Sequence, residues 1–597
     1  MKAKRSIAVL LALLMLLSTA ACGAGGADKG ADLPKEGQTV EGFTVKGVRD
    51  FPLVGATVLF FEHERTGARL MYVANSDTNR VFDLTFFTRA VDNTGLPHIF
   101  EHSTLDGSVK YPSKALFFNL SYQTYNTYMN AFTMPLLTSY PVASLSEAQL
   151  LRYADYYTDS CLNPMVVEDE SIFREEAWRY RLEDMDDELS IEGTVYSEMQ
   201  GAIDLSSAAY SNMLRTAFPG STIGNESGGE PEHIPEMTWE DVRDYHDEYY
   251  HPSNCIAYLY GQFDDYAAFL KLLDEAFAPF EKREFSFADE AYEALTRSVK
   301  SETAFPVTAG ASTENGSAAY YAILCPSLKD DPEEELLLNT LTDLLVADAS
   351  PLMQRLKKEL PSGSFASYIE LDGPEDMIVF YAENIDRGSA DAFRAIVDEE
   401  LKKLADAGSF SAELVDGVAA SLAMSTRLAG EGDEVGVDLI STLASYYAST
   451  GAPFGYMDYV DALEKLAEGN EAGRYGEAIA KWLLSEPVTA LSVTYPEPGL
   501  REKLDAAEAA RLAEVKASMS EAELQEIIDA QTDPTLATYA TPFECSLRIA
   551  SKRPTLQEAQ DAVDEMTEKV RAIVGQYIYS EDGSKIDEVV LKYLLSH

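Results

Sequence analysis

Cysteine is scarce in this chain. Its 597 residues hold five, none of them in C-x-x-C spacing, which excludes a thiolate metal cluster and provides no disulfide framework. Cys161, Cys255, Cys325 and Cys545 are scattered, and settings such as Ala322-Ile323-Leu324-Cys325 read as small core residues. Positive charge is short as well: 47 Lys and Arg stand against 100 Asp and Glu, leaving −53 at pH 7. A polyanion would be repelled, so nucleic acid is not an expected partner. Long apolar runs are missing beyond the extreme N-terminus, and no later segment reads as transmembrane. What remains, 46% hydrophobic and 25% charged, is the composition of a globular protein long enough for roughly three to four domains.

The N-terminus has its own character. Met1-Lys2-Ala3-Lys4-Arg5 is a basic head, followed by an apolar run from Ile7 to Leu17 and then Ser18-Thr19-Ala20-Ala21-Cys22. That order is a secretory signal, and small residues ending in cysteine resemble a bacterial lipobox. Residues 1–21 are expected to be removed and Cys22 acylated, which places the protein on a membrane surface outside the cytoplasm. Loss of the three basic side chains takes the charge from −53 to −56. Residues 22–45, rich in Gly, Ala and Asp, read as a tether, with structure beginning near Phe51.

Apolar runs at Ala56–Glu62, Leu70–Val73 and Val81–Thr88, separated by turn residues, predict a strand meander. Amphipathic stretches predict helices at Glu147–Cys161, Glu168–Leu182 and Trp239–Tyr250, and Asn254–Tyr260 closes the unit as a strand. This gives a mixed α+β domain over 46–270. Polar, weakly patterned residues 271–316 read as a linker. A second domain over 317–499 repeats the order: a strand at Tyr320–Leu324, helices at Glu333–Ala347 and Pro351–Glu359, a strand at Met377–Ala382, and a helix at Ala392–Ala407. Residues 500–597 read as a helical arm and tail, with the capping-box pattern Ser520-Glu521-Ala522-Glu523.

The chemistry centres on His98-Ile99-Phe100-Glu101-His102. In a helix, positions 98 and 102 lie one turn apart, so both imidazoles leave the same face and can grip one metal ion. Glu101 stands beside them, where its carboxylate can take a proton from water activated by zinc. Pro97 suits the first turn of that helix. Two histidines need a further protein ligand, normally a carboxylate, and spacing alone offers many glutamates.

The segment Gly95-Leu96-Pro97-His98-Ile99-Phe100-Glu101-His102-Ser103, followed by Gly107-Ser108, Lys110-Tyr111-Pro112 and Asn130-Ala131-Phe132-Thr133, resembles the pitrilysin-type inverzincin peptidases, most closely their presequence protease branch. His63-Glu64-Arg65-Thr66-Gly67-Ala68, Tyr140-Pro141-Val142-Ala143-Ser144, Glu176-Ala177-Trp178 and Tyr196-Ser197-Glu198-Met199-Gln200-Gly201 extend the likeness. The resemblance implies His98, His102 and Glu198 as ligands of one Zn²⁺ and Glu101 as general base. It also implies Asn130 and Ala131 on an edge strand that pairs with the peptide substrate. The implied architecture is two homologous α/β sandwich domains, each an antiparallel sheet packed with helices, followed by a helical hairpin.

The implied activity is zinc-dependent endopeptidase action on peptides or unstructured segments. Family members of this branch carry two more domains that close over the first pair, so a second half supplied by another chain is an expected partner. An inactive peptide- or zinc-binding lipoprotein, as a fragment or one subunit of a split protease, is the alternative. Where the family has Leu-Cys-Gly-Ser, this chain has Leu105-Asp106-Gly107-Ser108, and redox regulation through that cysteine is not expected.

Overall fold

The structure is a computed structural model. It describes residues 33–596 apart from 115, 286–291, 326–327, 329–330, 429, 433, 469–472, 531–534, 541–544, 552, 554 and 581–583. The signal segment, Cys22 and the first part of the tether lie outside the described residues.

The first sheet is built from β1 (Thr39–Val40), β2 (Phe43–Phe51), β3 (Ala56–His63), β4 (Arg69–Ala74), β5 (Arg80–Phe86), β6 (Tyr128–Met129), β7 (Phe132–Met134), β8 (Leu137–Ser139) and β9 (Val142–Ser144). A small separate ribbon, β10 (Arg179–Arg181) with β11 (Ser190–Glu192), precedes β12 (Cys255–Gly261), which joins the main sheet. The order is β1-β2-β3-β4-β12-β5-β8-β7, with β9 also on β5 and β6 on β9. β12 inserts late in the sequence, parallel to β4 and antiparallel to β5. Around it stand α1 (Leu96–Thr104), α2 (Glu147–Leu162), α3 (Glu170–Glu176), α4 (Thr194–Ala202), α5 (Leu205–Ala217), α6 (Trp239–Tyr249) and α7 (Ala267–Ala276).

The second sheet contains β13 (Val299–Val307), β14 (Ser317–Cys325), β15 (Ser364–Glu370), β16 (Asp376–Ile385) and β17 (Thr489–Pro498). Its order is β13-β17-β14-β16-β15, and β17 is parallel to β13 and antiparallel to β14. This repeats the arrangement of β12 between β4 and β5, so the two units share one topology. The helices of this part include α8 (Pro332–Val346), α9 (Pro351–Glu359), α10 (Ala390–Ala407), α11 (Val435–Thr450) and α12 (Gly455–Glu468).

Both faces of each sheet are apolar, and the units cover one another's outer face. α11 of the second unit lays Val437, Ile440 and Leu443 on Val58, Val73, Val81 and Tyr258 of the first sheet. In return, α5 of the first unit packs Ala209, Met213 and Leu214 against Ala318, Tyr320, Ala322 and Val379. Gly436 lets α11 come close to the first sheet, since a Cβ there would lie 2.4 Å from the Tyr260 ring.

Several boundaries differ from the sequence reading. Among the described residues, β1 and the start of β2 fall inside residues 22–45 read as tether and ahead of Phe51. The helix expected over Glu168–Leu182 ends at Glu176, and Arg179–Arg181 turns into β10. Residues 271–316, read as a linker, contain β13, an edge strand whose polar residues face water while its backbone pairs with β17. After α13 (Leu500–Ser518) and α14 (Glu521–Ala530) the arm is not helical throughout: β18 (Thr535–Ala540) and β19 (Cys545–Ala550) form an antiparallel ribbon before α15 (Leu556–Val574) and α16 (Ile586–Ser596). Cys161, Cys255 and Cys325 are buried free thiols, in line with their reading as core residues. Among the described residues no single helix is long and apolar enough to cross a membrane.

Candidate metal centre

α1 starts at Gly95, whose φ of +74° is left-handed, and Pro97 fixes the first turn. Ile99 and Phe100 are fully buried, and Phe100 packs between Tyr245, His246 and Tyr250. With that face fixed in the core, His98 and His102 emerge together on the other, their ring centroids 4.8 Å apart. α4 buries Val195, Tyr196 and Met199 and leaves Glu198 exposed. One ligand atom each from His98, His102 and Glu198 lies within 4.8 Å of the others, and His102 Nε2 is 3.7 Å from Glu198 Oε2. The structure thus brings together the three residues that the resemblance singled out, from two helices about a hundred positions apart.

Both histidines are oriented through Nδ1. His98 Nδ1 sits 3.1 Å from the Gly228 carbonyl oxygen, and His102 Nδ1 sits 3.2 Å from Glu176 Oε2. An Nδ1–H donated to these acceptors leaves the Nε2 lone pair for a metal, the arrangement that fixes the tautomer of ligating imidazoles. Burial opposes protonation of His102, but the Glu176 hydrogen bond and the charges of Glu101, Glu176 and Glu198 outweigh it and push the group up.

Glu101 is buried next to the pair, and Thr133 of β7 donates a hydrogen bond to its Oε2 at 2.8 Å. Burial pushes this carboxyl above the usual range, while His102, His98 and the Thr133 hydroxyl pull it back. A carboxylate held between opposing influences beside a metal-binding face suits a proton acceptor. Asp106, in the position of the family cysteine, is pushed up to about 8 by burial and by the negative charges of Glu176 and Glu175.

Two contributors escaped the sequence reading. Glu176 was noted only as part of a motif, yet it lies against His102 and also accepts a hydrogen bond from Thr194 Oγ1 at 3.4 Å on the helix that bears Glu198. Thr133 was quoted without a role. Asn130 and Ala131 need a correction: they do not lie within a strand but form the link between β6 and β7. Asn130 N donates to the Pro141 carbonyl oxygen at 3.3 Å, and its own carbonyl oxygen accepts from Tyr157 Oη at 3.1 Å, so those groups are already engaged. β7 stands at one end of the strand order, paired with β8 on its other side.

The chain is 30% identical over 502 residues to the protein HypA of Clostridium perfringens, covering 83% of this chain and 51% of that protein. It is 30% identical over 482 residues to presequence protease 1 of Arabidopsis thaliana, covering 79% and 44%. The chain belongs to the pitrilysin-type peptidase family. Among solved structures, a protease from Helicobacter pylori superposes with a TM-score of 0.55 at 15% identity, over 72% of this chain and 98% of that one, a likeness of fold. The chain spans about half the length of the curated family members it matches.

The family model described as peptidase M16 inactive domain matches residues 236–422. That stretch lies mostly in the second unit, where α8, the helix following β14 as α1 follows β5, carries no histidine. The candidate ligands on α1 and α4, His98, His102 and Glu198, lie outside it. Residues 514–580 match the model described as damage-inducible protein CinA KH domain, which falls on the β18–β19 ribbon and its flanking helices.

Proposed function

We propose that this family member is a zinc-dependent endopeptidase acting on peptides or unstructured segments, with His98, His102 and Glu198 as metal ligands and Glu101 as general base. The observation that carries the reading is the convergence of three ligand atoms beside one buried carboxylate. Two imidazole nitrogens and a carboxylate oxygen fit a hydrolytic zinc site, which keeps a further position open. When bound, the ion supplies Lewis-acid polarisation of the scissile carbonyl and lowers the pKa of water.

The chain's own residues do the rest. Glu101 accepts the proton of the attacking water and passes it to the leaving amine. Thr133 holds that carboxylate in place, and Glu176 with the Gly228 carbonyl keeps each imidazole turned toward the ion. β7 offers an open edge on which an extended peptide adds as a strand, a mode that favours unfolded over folded substrates. The relatives named presequence proteases support peptides as the substrate class. Acylation at Cys22 would hold the protein on the membrane surface outside the cytoplasm. The remaining half of the relatives' length, in the same polypeptide or supplied by another chain, is the partner to test.

The experiment measures zinc content and cleavage of an unstructured peptide by the purified chain and by Glu101→Gln, with and without that second half. Zinc near one per chain and loss of cleavage in Glu101→Gln are expected. Cleavage unchanged in Glu101→Gln overturns the mechanism.

A further inference from the structure

The ribbon of β10 and β11 joins two helices of the candidate metal centre. Only Ala177 and Trp178 separate the end of α3 at Glu176 from β10, and only Gly193 separates β11 from α4, which bears Glu198. The two legs of the ribbon touch at their base, where a Cβ on Gly193 would lie 2.1 Å from the Ala177 carbonyl oxygen. One leg therefore ends on the residue that orients His102, the other on the third candidate ligand.

The ribbon is short. Its pairs are Arg179 with Glu192, Tyr180 with Ile191 and Arg181 with Ser190, and a two-stranded ribbon is marginal in water by itself. Yet Leu182 and Leu189 at its turn are buried, 1% and 5% exposed. The C-terminal arm covers them, with Leu512 and Val515 of α13 and Leu524 and Ile527 of α14 in the same cluster. Lys516 of α13 fastens the turn itself, its Nζ donating to the Met185 carbonyl oxygen at 2.7 Å and to that of Asp187. Arg511, earlier on α13, carries its charge to Tyr180 of β10 and to Tyr196 of α4.

Glu198 depends on such support. Its side chain is 51% exposed, so packing does not hold it, and its place beside His102 follows the backbone of α4. The histidines differ in this respect, because α1 is fixed in the core through Ile99 and Phe100.

We propose that α13 is a positioning element of the metal centre, with Lys516 and Leu512 holding the ribbon so that Glu198 and Glu176 stay beside His102. The proposal rests on the reading of His98, His102 and Glu198 as zinc ligands. Undocking the arm exposes Leu182 and Leu189, loosens the ribbon and lets the start of α4 drift, while α1 keeps its place. The docking of the arm thereby sets the metal affinity of a site built from residues far earlier in the chain.

The test reads metal binding and local order in the full chain, apart from cleavage. Lys516→Met removes the two hydrogen bonds to the turn with little loss of packing, and Leu512→Ser opens the apolar cover. Glu502→Ala is the control on the same helix. It loosens α13 from the second unit, where Glu502 Oε1 accepts from Ala309 N at 3.0 Å, and leaves the ribbon alone. Each chain is titrated with Zn²⁺ against a chelating dye, loaded with Co²⁺ to record the visible spectrum, which follows ligand number and geometry, and followed by hydrogen exchange over residues 179–202.

Lys516→Met and Leu512→Ser are expected to bind Zn²⁺ about tenfold more weakly, with an altered Co²⁺ spectrum and faster exchange in α4. Lys516→Arg, which still donates to carbonyl oxygens, and Glu502→Ala should match the parent. Lys516→Met carries the test by itself if Leu512→Ser does not fold. Parental affinity and spectrum in Lys516→Met, in a chain that binds zinc, overturn the proposal and leave the zinc reading intact. An equal loss in Glu502→Ala overturns it too, because the effect is then a general loosening. A chain that binds no zinc, yet exchanges faster in α4 in Lys516→Met and not in Glu502→Ala, upholds the coupling of arm to α4 and sinks the zinc reading alone. No zinc and unchanged exchange overturn both.

Discussion

Glu176 sets the orientation of His102. Its Oε2 lies 3.2 Å from His102 Nδ1, while Oε1 accepts the Thr194 hydroxyl at the start of the helix that presents Glu198. One side chain therefore braces both helices of the candidate metal centre. Glu176→Ala is expected to lower zinc affinity by about 10- to 100-fold without unfolding the chain, as loss of such outer partners does elsewhere. Competition with a chelating dye, alongside circular dichroism, measures it. Unaltered affinity would mean that His102 needs no brace.

Thr133→Val removes the hydroxyl that helps hold Glu101 ionised. Burial already raises this carboxyl, and without Thr133 it rises further. A general base works in its ionised form, which disappears as pH falls through its pKa, so the acidic limb of the kcat/KM profile moves to higher pH. A profile superposing on that of the unaltered chain would remove Thr133 from the mechanism.

Gly95 allows α1 to begin where it does. Its φ is +74°, and a Cβ would lie 2.5 Å from the Gly229 Cα, backbone that cannot step aside. Gly95→Ala is expected to cost about 1–3 kcal/mol through overpacking and left-handed strain. Thermal melts should show a lowered Tm, and the displaced His98 should bind zinc less well. A melt within error of the parent's would contradict the crowding.

Asp83 lies fully buried in the first sheet, accepting from Ser139 Oγ at 2.6 Å and Thr85 Oγ1 at 2.5 Å. Burial pushes it from 3.8 up to about 6. Between these values the folded chain binds more protons at this site than the unfolded one. Its contribution to stability is therefore present at low pH and falls as pH rises from about 4 to about 6, by up to about 3 kcal/mol. Asp83→Asn cannot ionise and should lack that slope. Denaturant midpoints compared at pH 4, 5, 6 and 7 test it, and parallel curves for the two chains would rule out the buried charge as its source.

The sequence revealed what local chemistry dictates. The strands at 56–63, 69–74 and 80–86 follow from β-branched and aromatic runs, and α1 from Gly95, Pro97 and the two histidines. Residues whose structure depends on distant partners escaped. β13 alternates polar side chains and looked like a linker, because its pairing with β17 is made 190 positions later in the chain. Arg179–Arg181 continued the amphipathic pattern of α3, yet Glu192, Ile191 and Ser190 draw it into a ribbon. Glu198 could not be distinguished from other glutamates by spacing, and only the family likeness singled it out. Glu176 carried no positional signal, since its relation to His102 spans 74 residues of chain.

The mutual covering of the two sheets bears on how this molecule comes into being. A cut anywhere between β12 and β13 would not release two domains, but two half-dressed sheets, each with its outer face open to water. Neither unit can reach its native energy before the other has been synthesised and docked. The site on α1, its candidate ligands and base all synthesised by position 198, thus waits for α11, some 240 residues further on, before the sheet behind it is sealed.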